Sequence, residues 1–469
     1  MPFPYTLPTT SAFSFSSTYT SPSHPSLPLT ASTHRAVVRD ALKKHKRLPI
    51  QSQAPNVPTV VSALTSYLPY LFAINAGLRD ESTAGLHVSP TSATPPSLAW
   101  RPTLSDTAVG IEAPRAKISD LEHEIAFVLV TLASCHTLLA RSTLHPLYVT
   151  SSAAPDAAQR AAAINAASRH LIDATVLYEY ADSRADAASP PPCADIAPST
   201  IRGLASLSLA EATLLVMLKD DPYTAIVAQD RNRVDNEWMF RAPSIPKVRV
   251  HMLTRLCLAA GEHAARAAAL FRACPVGKVN TEIIQYADDL RRTARARACR
   301  LSGIDAEDEG QVGLAIAWLN AGLGELGIER EEVVSRGSGL RRLRREWSER
   351  REDRRVERGG TAWGVDGGKA EEGRVLRMLS EKWNRINDTV NTQSIPPSGP
   401  LIAMMPSGRE FYNGRQPFKP PVLESNELDA MRAPPDRGDD FGDVQSSDDE
   451  ITVVGAYPEV GRNSSAGYY

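Results

Sequence analysis

The sequence predicts a mainly α fold. Helical hairpins pack in series, with a small β element near the N-terminus and a disordered tail at the C-terminus. Three observations predict it. Ile118, Leu121, Ile125, Val128, Leu132, Cys135 and Leu139 recur at alternating spacings of three and four, which makes one continuous apolar seam on a helix. Val312, Ile316, Leu319, Leu323 and Leu326 repeat the pattern further on. Between the seams, short Pro- and Gly-containing turns separate other helical runs, as in an α-solenoid or a bundle of antiparallel hairpins. No fixed period relates the runs, so the chain is not a regular repeat array.

The elements follow in order. Residues 1–30 are rich in Pro, Ser and Thr, and the alternation Phe13-Ser14-Phe15 predicts a brief strand within an extended arm. Helical patterning starts near Ser32 and again at Pro58, a residue suited to a first helical turn. The Pro/Ser/Thr-rich stretch 82–102 reads as loop, with a short strand at Leu98-Ala99-Trp100. After the first seam, a helix over 155–182 turns Ile164, Leu171, Thr175 and Tyr178 inward, and the prolines at 190–192 close that unit. Further helices run from Ser199, from Pro246 to about Cys274, over 279–302 and over 369–391. The segment 336–358 holds ten Arg and five acidic residues. It reads as a solvated charged helix with four-apart ion pairs, or as a patch for anionic lipid or an acidic protein.

Charge and cysteine usage narrow the function. The formal net charge of −2 argues against a dedicated nucleic-acid binder. The last 78 residues carry 12 acidic and 6 basic residues, so the tail is acidic and the rest mildly basic. Cys135, Cys193, Cys257, Cys274 and Cys299 form no CxxC and no paired framework, which points to a reducing compartment. The N-terminus lacks the basic and apolar regions of a secretory signal. The most apolar window, 125–140, is shorter than the roughly 20 residues of a spanning helix. The expectation is a soluble protein with, at most, peripheral membrane contact.

Catalytic chemistry is not legible. The chain has no GxxxxGK[ST], no GxSxG and no dinucleotide fingerprint. His123 and His136 do not share a helix turn, and His251, Cys257 and His263 are each six apart on one helix and so face different ways. No catalytic, cofactor or metal residue is assigned. The stretch 199–230, STIRGLASLSLAEATLLVMLKDDPYTAIVAQD, stands out instead. It reads as a helix apolar on more than one face, a tight Pro-containing turn, and a second helix opening with Ala225-Ile226-Val227-Ala228. Such a helix is buried, or uses one face for a partner. Two classes remain open: an adaptor, or an enzyme or lipid-handling helical protein with a pocket along 125–140.

Four segments carry a resemblance. LSLAEATLLVMLK followed by AIVAQ, then IAFVLVTLASCHTLLA, and ARACRLSGI with VGLAIAWLNAGLGEL resemble helices of the Bro domain of Alix-type scaffolds, and NDTVNTQSIPP resembles its closing segment. The resemblance covers about residues 3–402. It implies a curved, boomerang-shaped solenoid of TPR-like hairpins over 1–400, followed by an acidic tail over 401–469. With no room for a long coiled-coil domain, the chain is similar to the Bro-domain-only regulators of the fungal ambient-pH response. The resemblance further implies a cytoplasmic, non-enzymatic adaptor, recruited to plasma or endosomal membrane. Such an adaptor brings the core filament subunit of ESCRT-III to an alkaline-pH signalling complex, so that the transcription factor PacC is proteolytically activated. It implies no cofactor and a monomer. The family's ESCRT-III patch falls on Val216, Ile226 and Asp230, the last a charge where the family has Leu.

The tail holds one segment unlike its surroundings. At 446–460, SSDDEITVVGAYPEV places Ile451, Val453 and Val454 directly after three acids, a run of high strand propensity. It is an apolar interruption in a disordered tail, or an extended docking peptide that adds as a strand to a partner's sheet. Its pattern resembles SUMO-interacting motifs, and Tyr457-Pro458-Glu459-Val460 resembles the YPxL peptides that Alix relatives bind.

Overall fold

The computed structural model describes residues 1–469 other than 1, 81–85, 92–97, 108–111, 150–155, 186–187, 224–244, 329–346, 348–349, 352, 360–362 and 434–469. Among the described residues, five short strands precede the main helical series. β1 (Thr9–Thr10), β4 (Leu98–Arg101) and β5 (Ala116–Ile118) form an antiparallel sheet in the order β1-β4-β5, with Thr9 opposite Arg101 and Leu98 opposite Ile118. β2 (Tyr19–Thr20) pairs with β3 (Ser89–Pro90). The strand expected at Phe13–Phe15 is absent. Phe15 is fully buried against Tyr19 and Tyr67, and its N–H donates to Ser32 Oγ at 2.8 Å. The aromatic alternation fills the core; it does not pair backbones.

α1 (Leu27–Arg47) and α2 (Ile50–Leu78) start earlier than their patterning suggests, and Pro55, Pro58 and Pro69 lie inside α2. Buried Val57, Val60, Leu64, Tyr67, Leu71 and Ile74 hold α2 helical despite the lost N–H groups. α3 (Leu121–Leu144) opens on Asp120, whose side chain accepts from Glu122 N. Its first turn then buries two carboxylates. Glu124 accepts from Arg35 Nε at 2.9 Å, Trp100 Nε1 at 2.5 Å and Tyr67 Oη at 3.3 Å, so one side chain ties α1, α2 and β4 to α3. Glu122 accepts from Asn75 at 2.9 Å and from Arg184 at 2.6 and 2.9 Å. Paired in this way, the buried charges avoid the desolvation penalty of isolated ones.

From α3 onward each helix packs on the next. The series runs through α4 (Ala157–Ser183), α5 (Pro198–Asp220), α6 (Lys247–Arg272), α7 (Thr281–Asp308) and α8 (Val312–Glu325), and α9 (Lys369–Ile386) closes on α7 and α8. Gly203 allows α5 to meet α6 closely, because a Cβ there would lie 2.6 Å from a Phe271 ring carbon. The first seam is core, with Ile118, Leu121, Ile125, Val128, Leu132 and Cys135 all buried. Ile164, Leu171, Thr175 and Tyr178 face inward on α4.

Residues 401–432, read from the sequence as the start of the tail, lie on the helical unit. α10 (Ser398–Ala403) packs on α8. The chain then crosses α6, where Arg409 N donates to Arg255 O at 3.0 Å and a Cβ on Gly408 would meet the Ala259 backbone at 2.7 Å. It reaches α4, where Arg415 pairs with Glu179 at 2.6 Å and Phe418 packs on Tyr180. Leu423 and Met431 of α11 (Ser425–Met431) and its approach are buried, and the compact unit spans Met1–Arg432.

The 125–140 window lies within a longer helix than its sequence pattern defines. Three stretches, Ile50–Leu78, Leu121–Leu147 and Pro198–Asp220, are long and apolar enough to cross a membrane by length and composition. The most apolar windows of the last two are 72% and 78% buried inside the protein, so their apolar surface is already used as core. Leu132→Ala is therefore expected to cost about 2–5 kcal/mol, read as a lowered urea midpoint. An unchanged midpoint would place Leu132 outside the core.

Candidate protein-binding surface at the end of α5

On α5 the residues short of full burial are Pro198, Ser199, Arg202, Ala205, Ser206, Val216, Lys219 and Asp220. At 100° per residue, Arg202, Ala205, Ser206, Val216 and Asp220 fall on the side turned away from Glu211. Val216 lies on this side, partly buried and packed against the hydrophobic core. The rest of the last turn is gripped. Met217 is fully buried with its sulfur 2.7 Å from Cys257 Sγ of α6. Leu218 O accepts from Arg160 of α4 at 3.1 Å, and Asp220 pairs with Arg249 of α6 at 3.2 Å.

Just beyond the helix the chain is fixed by buried charge. Asp221 accepts from Arg300 of α7 at 2.5 and 3.2 Å and from Tyr223 N at 3.0 Å. Arg300 also donates to Glu372 of α9 at 2.6 Å, and Arg297 donates to the same carboxylate at 2.9 Å. The Arg300 and Asp221 side chains are 0% exposed. Burial pushes the Asp221 carboxyl up, but the Arg300 guanidinium outweighs it and holds the group below its ordinary range. Burial works against the Arg300 charge as well, yet the two carboxylates raise it well above the usual value.

The opposite face of α5 carries Glu211, fully enclosed. Its Oε1 accepts from Phe3 N at 2.9 Å and from Tyr286 Oη at 2.6 Å, so it joins the N-terminal arm to α7 through α5. Its Oε2 has no partner among the described residues. Burial pushes this carboxyl up to about 7, against the hydrogen bond from Tyr286.

Of the residues assigned to the patch, the structure places Val216 on this outer face; Ile226 and Asp230 lie outside the described residues, as do Ile451, Val453, Val454 and Tyr457. Most of the Arg-rich segment 336–358 lies outside them too. Along 125–140 a cleft of about 30 Å³ lies beside Ile125, Ala126 and Leu129. Another cleft, of about 130 Å³ at the far end of this window, is lined by Tyr5, His45, Val57, Leu138, Arg141 and Trp363. That volume is small against the roughly 300–1,000 Å³ of ordinary ligand sites. Sequence reasoning missed Asp221, Arg300, Glu372 and Glu211. Their partners are far away in the chain, and no local pattern marks a charge as buried.

No protein-family model matches the chain. It is 40% identical, over 517 aligned positions spanning all of both chains, to the pH-response regulator protein palC of Emericella nidulans. It is 25% identical over 177 residues to palC of Cryptococcus neoformans, covering 37% of this chain and 34% of that one. Among solved structures it resembles ALIX in complex with a PYKEVTEDL late domain of SIVmac239, with a TM-score of 0.56 and 13% identity, covering 91% of this chain and 50% of ALIX. It also resembles the BRO1 domain of an ALIX–CHMP4C complex, with a TM-score of 0.51 and 13% identity over 89% and 96% of the two chains. A Bro1 domain described in terms of endosomal targeting gives a TM-score of 0.50 and 13% identity, over 92% of this chain and 95% of that one. The fold is that of a Bro1 domain, built of helices with few strands.

Two outcomes follow from the charges around α5. Arg300→Ala is expected to destabilise by about 3–5 kcal/mol, because it leaves Asp221 and Glu372 buried without their main partner; denaturant unfolding measures it. The Glu211 carboxyl stands raised above its ordinary 4.5, so its contribution is full below that pH and is lost as pH rises through about 7. Wild type should therefore lose on the order of 3 kcal/mol against Glu211→Gln between those limits. Parallel stability–pH curves for the two proteins would show that Glu211 does not titrate there.

Proposed function

The chain belongs to the palC family of pH-response regulators, and we propose that it acts there as a non-enzymatic adaptor. The observation that carries this reading is the 40% identity to the Emericella nidulans regulator over the full length of both chains. In the proposal the adaptor takes up a core filament subunit of ESCRT-III. It brings that subunit to an alkaline-pH signalling complex, where PacC is proteolytically activated. It works as a cytoplasmic monomer recruited to plasma or endosomal membrane.

The docking mode is helix-in-groove: an amphipathic helix of the partner lays its apolar face on the outer side of α5 and the segment after it. Val216 supplies one contact, Ile226 the central one, and Asp230 sets a charge at the rim. Two observations support this use of α5. Its last turn and the following turn are held by buried ion pairs and core contacts, so a surface there is preorganised. A Bro1 domain of the same fold, that of ALIX, was solved with CHMP4C. The segment 446–460, through Ile451, Val453, Val454 and Tyr457, would be a second docking peptide.

The test is a pull-down of purified ESCRT-III core subunit with the full chain, its Ile226→Asp variant and its Val216→Asp variant, with melting measured in parallel. A charge in an apolar contact stays solvated in the free protein but must be desolvated in the complex. Binding should fall at least tenfold in Ile226→Asp with melting unchanged. Loss of melting together with binding would make Ile226 core, and undiminished binding would remove the patch from α5.

A further inference from the structure

His136, His170 and Asp173 play no part in the adaptor surface, yet the fold brings them together. α3 and α4 pack along most of their length. His136 comes from α3, and His170 and Asp173 stand three apart on α4, hence on one face of it. Their neighbours Cys135, Thr137, Leu171 and Ala174 are fully buried, so both helix backbones are fixed at this level. His136 Nδ1 lies 3.3 Å from His170 Nδ1 and 3.7 Å from Asp173 Oδ2, and all three ligating atoms fall within 4.8 Å of one another.

We propose that His136, His170 and Asp173 form a site for a divalent metal ion of the zinc class, clamping α3 to α4. Zinc binds imidazole nitrogen at about 2.0–2.1 Å, so two nitrogens at a tetrahedral angle stand about 3.4 Å apart. The two Nδ1 atoms already have that separation. The Asp173 side chain is 53% exposed and can turn further toward both nitrogens, whereas His136 is only 17% exposed and is held in place. Two imidazoles and one carboxylate suit zinc and its borderline neighbours rather than calcium or magnesium, which prefer all-oxygen shells. Three protein ligands leave the outward positions for water, the arrangement of an open site rather than a closed structural one.

The experiment uses the full chain stripped of metal with a chelator, titrated with ZnCl₂ by calorimetry and with CoCl₂ by visible absorption. The expected result is one equivalent of zinc, a cobalt band of a low-coordinate nitrogen–oxygen site, and a higher melting temperature with zinc. His170→Gln should abolish that equivalent, and Asp173→Asn, on the exposed rim, should weaken it without changing the melting of the metal-free protein. Three results would overturn the site. The wild type could bind no equivalent, the two imidazoles then merely sharing an N–H···N hydrogen bond. The variants could bind as well as wild type, which would put the ion among other side chains. Zinc could bind without raising the melting temperature, which would rule out the clamp.

Discussion

A guanidinium with no access to water has to be matched where it lies, and Arg300 is such a group. Its two carboxylate partners come from separate parts of the helical series: Asp221 from the exit of α5, and Glu372 from α9. Neither partner can be withdrawn without stranding charge in a medium that solvates it poorly. The exit of α5, the middle of α7 and the start of α9 are therefore fixed as one piece. Arg297 shares Glu372, and Tyr223 packs its ring under Arg300, so the turn after α5 belongs to that piece too. The outer face of α5 is presented from this fixed point.

The faces of α5 are chemically separate. One face holds Glu211 between the N-terminal arm and α7. The flanks pack on α4 and α6, with Gly203 giving α6 room to approach. Only the remaining side is left without full burial. A helix as apolar as this one would be a liability on an open surface. Here most of its apolar side chains are consumed by the core, and what remains outward is a narrow strip that includes Val216.

The two seams, the inward residues of α4 and the order of helices were legible because they depend on local periodicity, which the sequence displays directly. The ends of helices were less so. α2 runs through three prolines because its partners supply enough burial to offset the lost N–H groups, and no pattern within α2 announces those partners. The buried charges were illegible for the same reason. Glu122 and Glu124 look like ordinary acids in the first turn of a helix, a favourable place for them in water. Their burial is decided by Arg35, Asn75, Trp100 and Arg184, up to 89 positions away along the chain. His136 and His170 carry no signal along one helix, because they meet across two. Val216 was assigned by resemblance alone, and in the structure it is partly buried against the core.

The final helix of the compact unit has a bearing on how the chain is made. α11 lies near the beginning of the chain: Glu427 acts on His34 and Tyr70, Arg432 and Asp429 act on His24, and Leu428 and Met431 join the same core as Leu27 and Val38. On the ribosome, residues 24–70 emerge long before the segment that covers them. Throughout that interval the nascent chain carries apolar surface whose cover has not yet been synthesised, the condition under which aggregation and chaperone capture compete with folding. Completion of this fold is tied to the late arrival of α11, so a product stopped before Ser425 would leave its first helices without that cover.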